Sequence, residues 1–302
     1  MKILITGASG LVGSALIPVL IAAGHQVTKL VRSQPRAEAE IQWDPMTGVR
    51  DLARLEGMDA VIHLAGENIA AGRWTVEQKA RIRNSRVQGT QTLCQALTQL
   101  ALPPKVLISA SAMGYYGDRG EEVLHEESSP GRGFLSEICL AWEHATTPAE
   151  KSGMRVVLLR IGIVLSPTGG PLAKMLLPFK LGLGGVVGSG QQYMSWIALD
   201  DLIGAISHAL TTEALRGPVN CVAPHPVTNR EFTKTLGRVL NRPTLFSVPA
   251  FALRLVLGEM ADDLLLSGAR LEPKRLRETQ YQFRYPQLEG ALRAVLGKVG
   301  GR

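Results

Sequence analysis

An α/β doubly wound parallel sheet with a smaller C-terminal portion is the fold this sequence predicts, and three observations carry it. Short apolar runs suited to buried strands alternate with helix-length segments through the first two thirds of the chain, the pattern of a parallel sheet covered on both faces. A glycine-spaced turn, Thr6-Gly7-Ala8-Ser9-Gly10-Leu11-Val12-Gly13, stands between the first such run and the first helical segment. The 302 residues are 45% hydrophobic and 20% charged, ordinary globular usage with ample material for a core. Disordered, collagenous and coiled-coil readings are excluded.

Lys2–Thr6 reads as the first strand, Leu11–Ala23 as a helix stopped by Gly24, and Gln26–Val31 as the second strand. Pro18 inside that helix predicts a kink, or a face on which the lost hydrogen bond is tolerated. Ala60–Leu64, Lys105–Ser109 and Arg155–Leu159 are further short apolar runs suited to buried strands. Helices are expected over Thr75–Leu100 and Leu135–Ser152. Past about residue 165 the texture turns glycine-rich, with Gly182, Gly184, Gly185, Gly188 and Gly190 close together. Asn229–Leu240 then has an amphipathic helical pattern, and Pro249–Leu257 a strongly apolar one. The organisation expected is a nucleotide-binding domain over 1–165, to which later segments return, and a smaller C-terminal domain over 166–302.

No apolar run approaches the ~18–20 residues that span a bilayer, so no membrane span is expected. The N-terminus runs straight into the first strand, and no signal peptide is expected. Cys94, Cys139 and Cys221 lie far apart, with no metal-ligand or CxxC spacing, which suits a reduced, cytoplasmic protein without a metal. The net charge of +7 comes with basic clusters at Arg73–Arg86 and Lys274–Arg277. Aromatics are only 5%, and neither cluster carries a helix-turn-helix or zinc pattern. Solvated helix faces and a phosphate-bearing cofactor explain the charge better than nucleic acid does.

The glycine turn sits where a pyrophosphate would meet backbone. Gly7 permits the tight turn, Gly10 lets the chain approach phosphates, and Gly13 allows close helix–strand packing. Thr6, Ser9, Leu11 and Val12 complete the candidate phosphate site, and the helix N-terminus supplies free N–H groups and the positive dipole end. A reader of NAD places an acid at the close of the second strand, about 20 residues past the glycines. This chain has Val31-Arg32-Ser33 there. A guanidinium can clamp a 2′-phosphate through two parallel bonds, so Arg32 with Ser33 points to NADP(H).

The glycine spacing, the Leu64-Ala65-Gly66 turn and Tyr116-Gly117 resemble the extended short-chain dehydrogenase/reductase (SDR) superfamily. Longer strings are similar to its "epimerase family" branch, which includes proteins described as sugar nucleotide epimerases or cell-division inhibitors. They are Ala65-Gly66-Glu67-Asn68-Ile69, Arg73-Trp74, Gly114-Tyr115-Tyr116-Gly117, Gly188-Ser189-Gly190-Gln191-Gln192-Tyr193, Met194-Ser195-Trp196-Ile197 and Pro226-Val227-Thr228-Asn229. The resemblance covers nearly the whole chain. It implies a Rossmann-type fold, bound NADP(H), and a C-terminal domain whose last ~50 residues form a family-specific helical module. It also implies that Arg32, Leu64, Ala65, Gly66, Arg86 and Ile163 join the glycines at the cofactor. Arg81 stands where some relatives carry an acid.

The superfamily's chemistry uses a Tyr-x-x-x-Lys pair on a helix, in which the ammonium lowers the tyrosine pKa. Aligning Glu143 with the acid that commonly follows that Lys puts Cys139 at the Lys position and Leu135 at the Tyr position. No Lys occurs between Lys105 and Lys151, so the pair is absent in any register. Ser111 is the favoured candidate for the superfamily's substrate-binding Ser, with Ala112 in the alternative register. Tyr115 or Tyr116 is either a substitute acid or an aromatic packed beneath the nicotinamide. Glu67 and Asn68 are expected to face substrate, Asn68 alternatively capping the next helix. Cys139 reads as a small core residue and His63 as a core histidine. Two functions follow. One is an NADP(H)-dependent oxidoreductase or epimerase acting, as monomer or homodimer, on a hydroxylated small molecule of sugar-nucleotide type. The other is a non-catalytic regulator that reports NADP(H) occupancy to a protein partner such as the cell-division machinery.

Overall fold

The structure is a computed structural model and describes residues 1–298. One sheet of eight strands dominates it. These are β1 (Lys2–Thr6), β2 (Gln26–Val31), β3 (Glu40–Asp44), β4 (Gly48–Val49), β5 (Ala60–His63), β6 (Val106–Ala112), β7 (Arg155–Ile161) and β8 (Gly217–Cys221). Their spatial order is β8-β7-β6-β5-β1-β2-β3-β4. β1 pairs in parallel with β2 and β5, β2 with β3, and β5 with β6, whereas β3 and β4 are antiparallel. The apolar runs found in the sequence are buried because helices cover both faces of such strands. From β1 the chain moves outward through β2 and β3, then crosses back to β5 on the other side of β1. That reversal is a topological switch point, where α/β sheets open a crevice at the strands' carboxyl ends.

Helix α1 (Leu11–Ala22) buries Gly13, Leu16 and Leu20, one face at helical spacing. Pro18 lies on its exposed face and the helix runs through it, ending before Gly24, whose φ is +82°. Helix α2 (Val76–Thr98) starts where the Thr75 side chain accepts from Gln78 N. Its Leu93, Cys94 and Leu97 share a core with Leu4, Leu30, Val61 and Leu107 of the sheet. The single helix expected over Leu135–Ser152 is two, α3 (Phe134–His144) and a short helix Thr147–Lys151. Pro148 is the reason: it has no N–H for the preceding turn, and its ring excludes a continuous helix.

The chain divides into two compact units, and not at residue 165. The first comprises Met1–Ser111, Glu137–Leu159 and Ala205–Val219, and the second Ala112–Ser136, Arg160–Gly204 and Asn220–Arg302. Arg155 shows why residues past 200 return to the first unit. Its buried guanidinium donates to Ala209 O, Leu210 O and Leu215 O at 2.9–3.0 Å, at the carboxyl end of helix Leu199–Thr211. Arg155→Met strands those carbonyls and is expected to destabilise the protein by about 3 kcal/mol. An unchanged midpoint in urea denaturation would contradict this role.

In the second unit, helix Asn229–Leu240 has the bounds the sequence predicts, because a capping box of Thr228 and Glu231 fixes its start. Its Leu236, Val239 and Leu240 share a core with Leu288, Ala291 and Leu292. The apolar helix Ala250–Leu257 has no buried residue, and Phe251 and Leu255 are 72% and 77% exposed. No helix among the described residues is long and apolar enough to cross a membrane.

Candidate functional site

The glycine turn lies at the carboxyl end of β1. Gly7 has φ +70°, and a Cβ there would stand 2.7 Å from the Leu64 carbonyl carbon; only glycine fits. A Cβ on Gly13 would stand 2.3 Å from Gly7 O, so this position packs helix against turn. Gly10 is the N-cap of α1 and offers no side-chain acceptor, and the first turn of α1 carries no acid. Ser9 and Gly10 are exposed, while Leu11 and Val12 are half-buried. The start of α1 therefore presents uncapped amides and a positive dipole end at an open surface, the chemistry an anion needs. At the end of β2, Arg32 and Ser33 are exposed.

The turn after β5 is built from β1. The Thr6 hydroxyl accepts from Leu64 N and Ala65 N, both at 3.1 Å. Gly66 lies under Arg86, where a Cβ would be 3.3 Å from Cζ. The Arg86 guanidinium sits over the Trp142 ring, 5.1 Å from its centroid, and donates to Glu67 O (3.0 Å) and Ile82 O (3.3 Å). Burial lowers its pKa, opposed by Cys139 and Glu67. Glu67 is half-buried, its own amide donating to Ser85 Oγ at 3.0 Å. Asn68 is exposed and accepts from Ala70 N at 2.9 Å. It does not cap α2, a role Thr75 takes. Arg81 donates to the side chain of Gln78. Ile163 belongs to the second unit, where it opens strand Ile163–Leu165 and pairs with Trp196.

Ser111 is buried at the carboxyl end of β6, and its hydroxyl donates to Glu143 Oε1 on α3 at 2.7 Å. The β5–β6 register ends with His63 opposite Ser109, and Ser111 lies two residues further toward the carboxyl end of β6. On α3, Cys139 is buried and Leu135 half-buried, while Glu143 brings a carboxylate to the β6 hydroxyl. Sequence reasoning uses Glu143 only as an alignment marker. The signal that finds its partner is an acid one turn past the apolar Cys139, on the helix that follows β6.

Tyr115 and Tyr116 answer to a different purpose in the second unit. Tyr116 is fully buried, donates to Asn220 Oδ1 at 2.6 Å and accepts from Arg160 Nη1 at 2.9 Å. Burial pushes its phenol up to about 12. The Arg160 guanidinium stacks 3.4 Å from the Tyr115 ring centroid, and the two rings meet edge to face at 5.2 Å. As a substitute acid Tyr116 would have to release a proton that it donates to Asn220 and that burial holds on the phenol. Tyr115 serves as the face of a buried cation. Among the described residues no group of His, Cys, Asp and Glu is placed to hold a metal ion.

A doubly wound sheet with a glycine-lined anion cradle at its switch point defines a dinucleotide-binding protein. The chain matches the model of the NAD dependent epimerase/dehydratase family over residues 3–221, and it belongs to that family. Residues 248–295 match a second model, a domain of unknown function, DUF1731. The chain is 46% identical to "Epimerase family protein Mb2239" of Mycobacterium bovis over 288 residues, 95% of each chain. It superposes on the crystal structure of human epimerase family protein SDR39U1 (isoform 2) with NADPH at a TM-score of 0.91 and 35% identity, covering 99% of this chain and 100% of that one. A nucleoside-diphosphate sugar epimerase of Corynebacterium glutamicum matches at a TM-score of 0.83 and 37% identity, covering 98% of this chain and 58% of the other.

Proposed function

We propose that this protein holds NADP(H) against the carboxyl ends of β1, β2 and β5 and acts as an oxidoreductase or epimerase on a hydroxylated, sugar-nucleotide-like substrate. The uncapped amides of α1, left open by the side-chain-free Gly10 and held in place by the close packing that Gly7 and Gly13 allow, suit a pyrophosphate. Arg32 supplies the cation for a 2′-phosphate, and the solved structure of the human relative carries NADPH. The nicotinamide, when bound, would supply the hydride donor or acceptor.

The observation that carries the catalytic reading is the bond from Ser111 Oγ to Glu143 Oε1. A substrate hydroxyl placed on Ser111 can pass its proton to Oγ as the serine proton moves to Glu143. The reverse transfer protonates an alkoxide. This pair takes over the acid–base work that Leu135 and Cys139 cannot do. Those two residues also favour the second reading, a regulator whose protein partner, such as the division machinery, senses NADP(H) occupancy. A reducing compartment such as the cytoplasm suits three free, buried cysteines.

Cofactor choice provides the first test. NADPH is expected to bind more tightly than NADH by about 1–3 kcal/mol, from the charge-assisted contact of Arg32. Arg32→Asp should remove most of that preference in calorimetry. Equal affinities for the two cofactors in the unmodified protein would refute the NADP(H) assignment.

A further inference from the structure

His63 is a fully buried imidazole whose two nitrogens are both engaged. Nδ1 lies 2.7 Å from Thr6 Oγ1, and Nε2 lies 2.9 Å from Thr90 Oγ1 on α2. Trp142 Nε1 on α3 donates to the same Thr90 oxygen at 2.9 Å. Counting protons fixes the direction of each bond. Thr6 Oγ1 already accepts from Ala65 N and from Leu64 N, whose N–H is shared with Thr6 O at 3.4 Å, so its single proton goes to His63 Nδ1, the remaining neighbour able to accept it. Nδ1 is then the acceptor and carries no proton. The ring proton is on Nε2 and goes to Thr90. A second ring proton would put a third donor on Thr6, which has no lone pair left to take it.

We infer that His63 is a positioning residue for the nucleotide site: held as its Nε2–H tautomer, it aims the Thr6 hydroxyl so that Thr6 fixes the Leu64–Ala65 turn against the phosphate-binding glycines. The inference rests on the proposed seating of NADP(H) at this turn. Its geometric support is independent of that proposal, because Leu64 is the backbone that a Cβ on Gly7 would strike. Thr6 thus stands immediately before the glycine turn in sequence and carries the neighbouring turn on its oxygen. The ring's burial agrees with a neutral tautomer, since desolvation lowers its pKa to about 4. His63 is fully buried and acts on the site through Thr6.

Two arms of the imidazole can be separated. The amide oxygen of His63→Asn replaces Nδ1 and keeps the bond from Thr6, whereas the amide of His63→Gln extends to the Nε2 position and keeps Thr90 instead. Both variants lower the melting temperature. NADPH affinity by calorimetry should stay within a few-fold in His63→Asn and fall roughly tenfold in His63→Gln, the effect of losing a buried hydrogen bond that orders the site. Equal losses in the two, or a larger loss in His63→Asn, would show a merely structural histidine and overturn the inference. The unmodified protein gives a second readout: imidazole 15N shifts should report a protonated Nε2 and bare Nδ1 throughout neutral pH. A protonated Nδ1 overturns the inference even where neither variant folds. Absence of NADPH binding by the unmodified protein would instead remove the proposed function, leaving the tautomer result intact.

Discussion

Gly10→Val is expected to lose NADPH affinity by on the order of a hundredfold or more while the protein stays folded. Gly10 sits at φ −76°, ψ 171°, extended backbone that any residue adopts, so its lack of a side chain is not required by conformation. A Cβ there meets only Gly7 O, at 3.3 Å, and the position is exposed. What a side chain would fill is the space over the amides of α1, where the pyrophosphate must approach. Its neighbours behave differently. Val at Gly7 would need positive φ and would strike Leu64, and Val at Gly13 would lie 2.3 Å from Gly7 O, so both are expected to damage the fold itself. Calorimetry paired with circular dichroism separates the two outcomes. Undiminished binding by a folded Gly10→Val protein would make the turn merely structural.

The second large effect concerns proton transfer. Ser111→Ala and Glu143→Gln should each lower kcat by about a hundredfold or more, whatever hydroxylated substrate the protein turns over. NADPH affinity should change little, because neither side chain is placed at the phosphate turn or at Arg32. The double variant should be scarcely worse than either single one, since the two residues move one proton as a unit. Cys139→Ala provides the control. Its thiol is buried on α3 and occupies the place of the missing Lys, so turnover should be unaffected. Full activity in Glu143→Gln would end the relay reading and leave the regulatory one in front.

The parts of this molecule legible from sequence are those fixed locally. Helix Asn229–Leu240 is correct to the residue because Thr228 and Glu231 close on each other within one turn. The glycine turn is legible because Gly7 and Gly13 answer to steric demands that few other residues meet. Strands Glu40–Asp44 and Gly48–Val49 are absent from the sequence reading, since charged and glycine residues hide the edge of the sheet. The Leu135–Ser152 segment keeps an unbroken helical pattern of apolar residues, which masks the stop imposed by Pro148. Tyr116 invites a catalytic reading because a tyrosine beside a strand end carries no mark of burial; its hydroxyl partners, Asn220 and Arg160, are distant in the chain. Ser111 and Glu143 are 32 residues apart, and no local rule relates a strand end to a point on the next helix. Tertiary packing makes that pair.

The first compact unit gathers three separate stretches of chain, the last of them Ala205–Val219. During synthesis on the ribosome, β1 and its glycine turn emerge at the outset, yet β8 cannot join the sheet until residues near 219 have left the exit tunnel. Arg155 waits as well, a buried cation whose carbonyl partners at Ala209, Leu210 and Leu215 have not been made. Nascent chains stalled at residue 165 therefore hold the complete nucleotide fingerprint without the sheet edge that supports it. They should be captured by chaperones and cut by proteases, whether or not NADPH is present, whereas chains released beyond that last stretch can be rescued by the nucleotide.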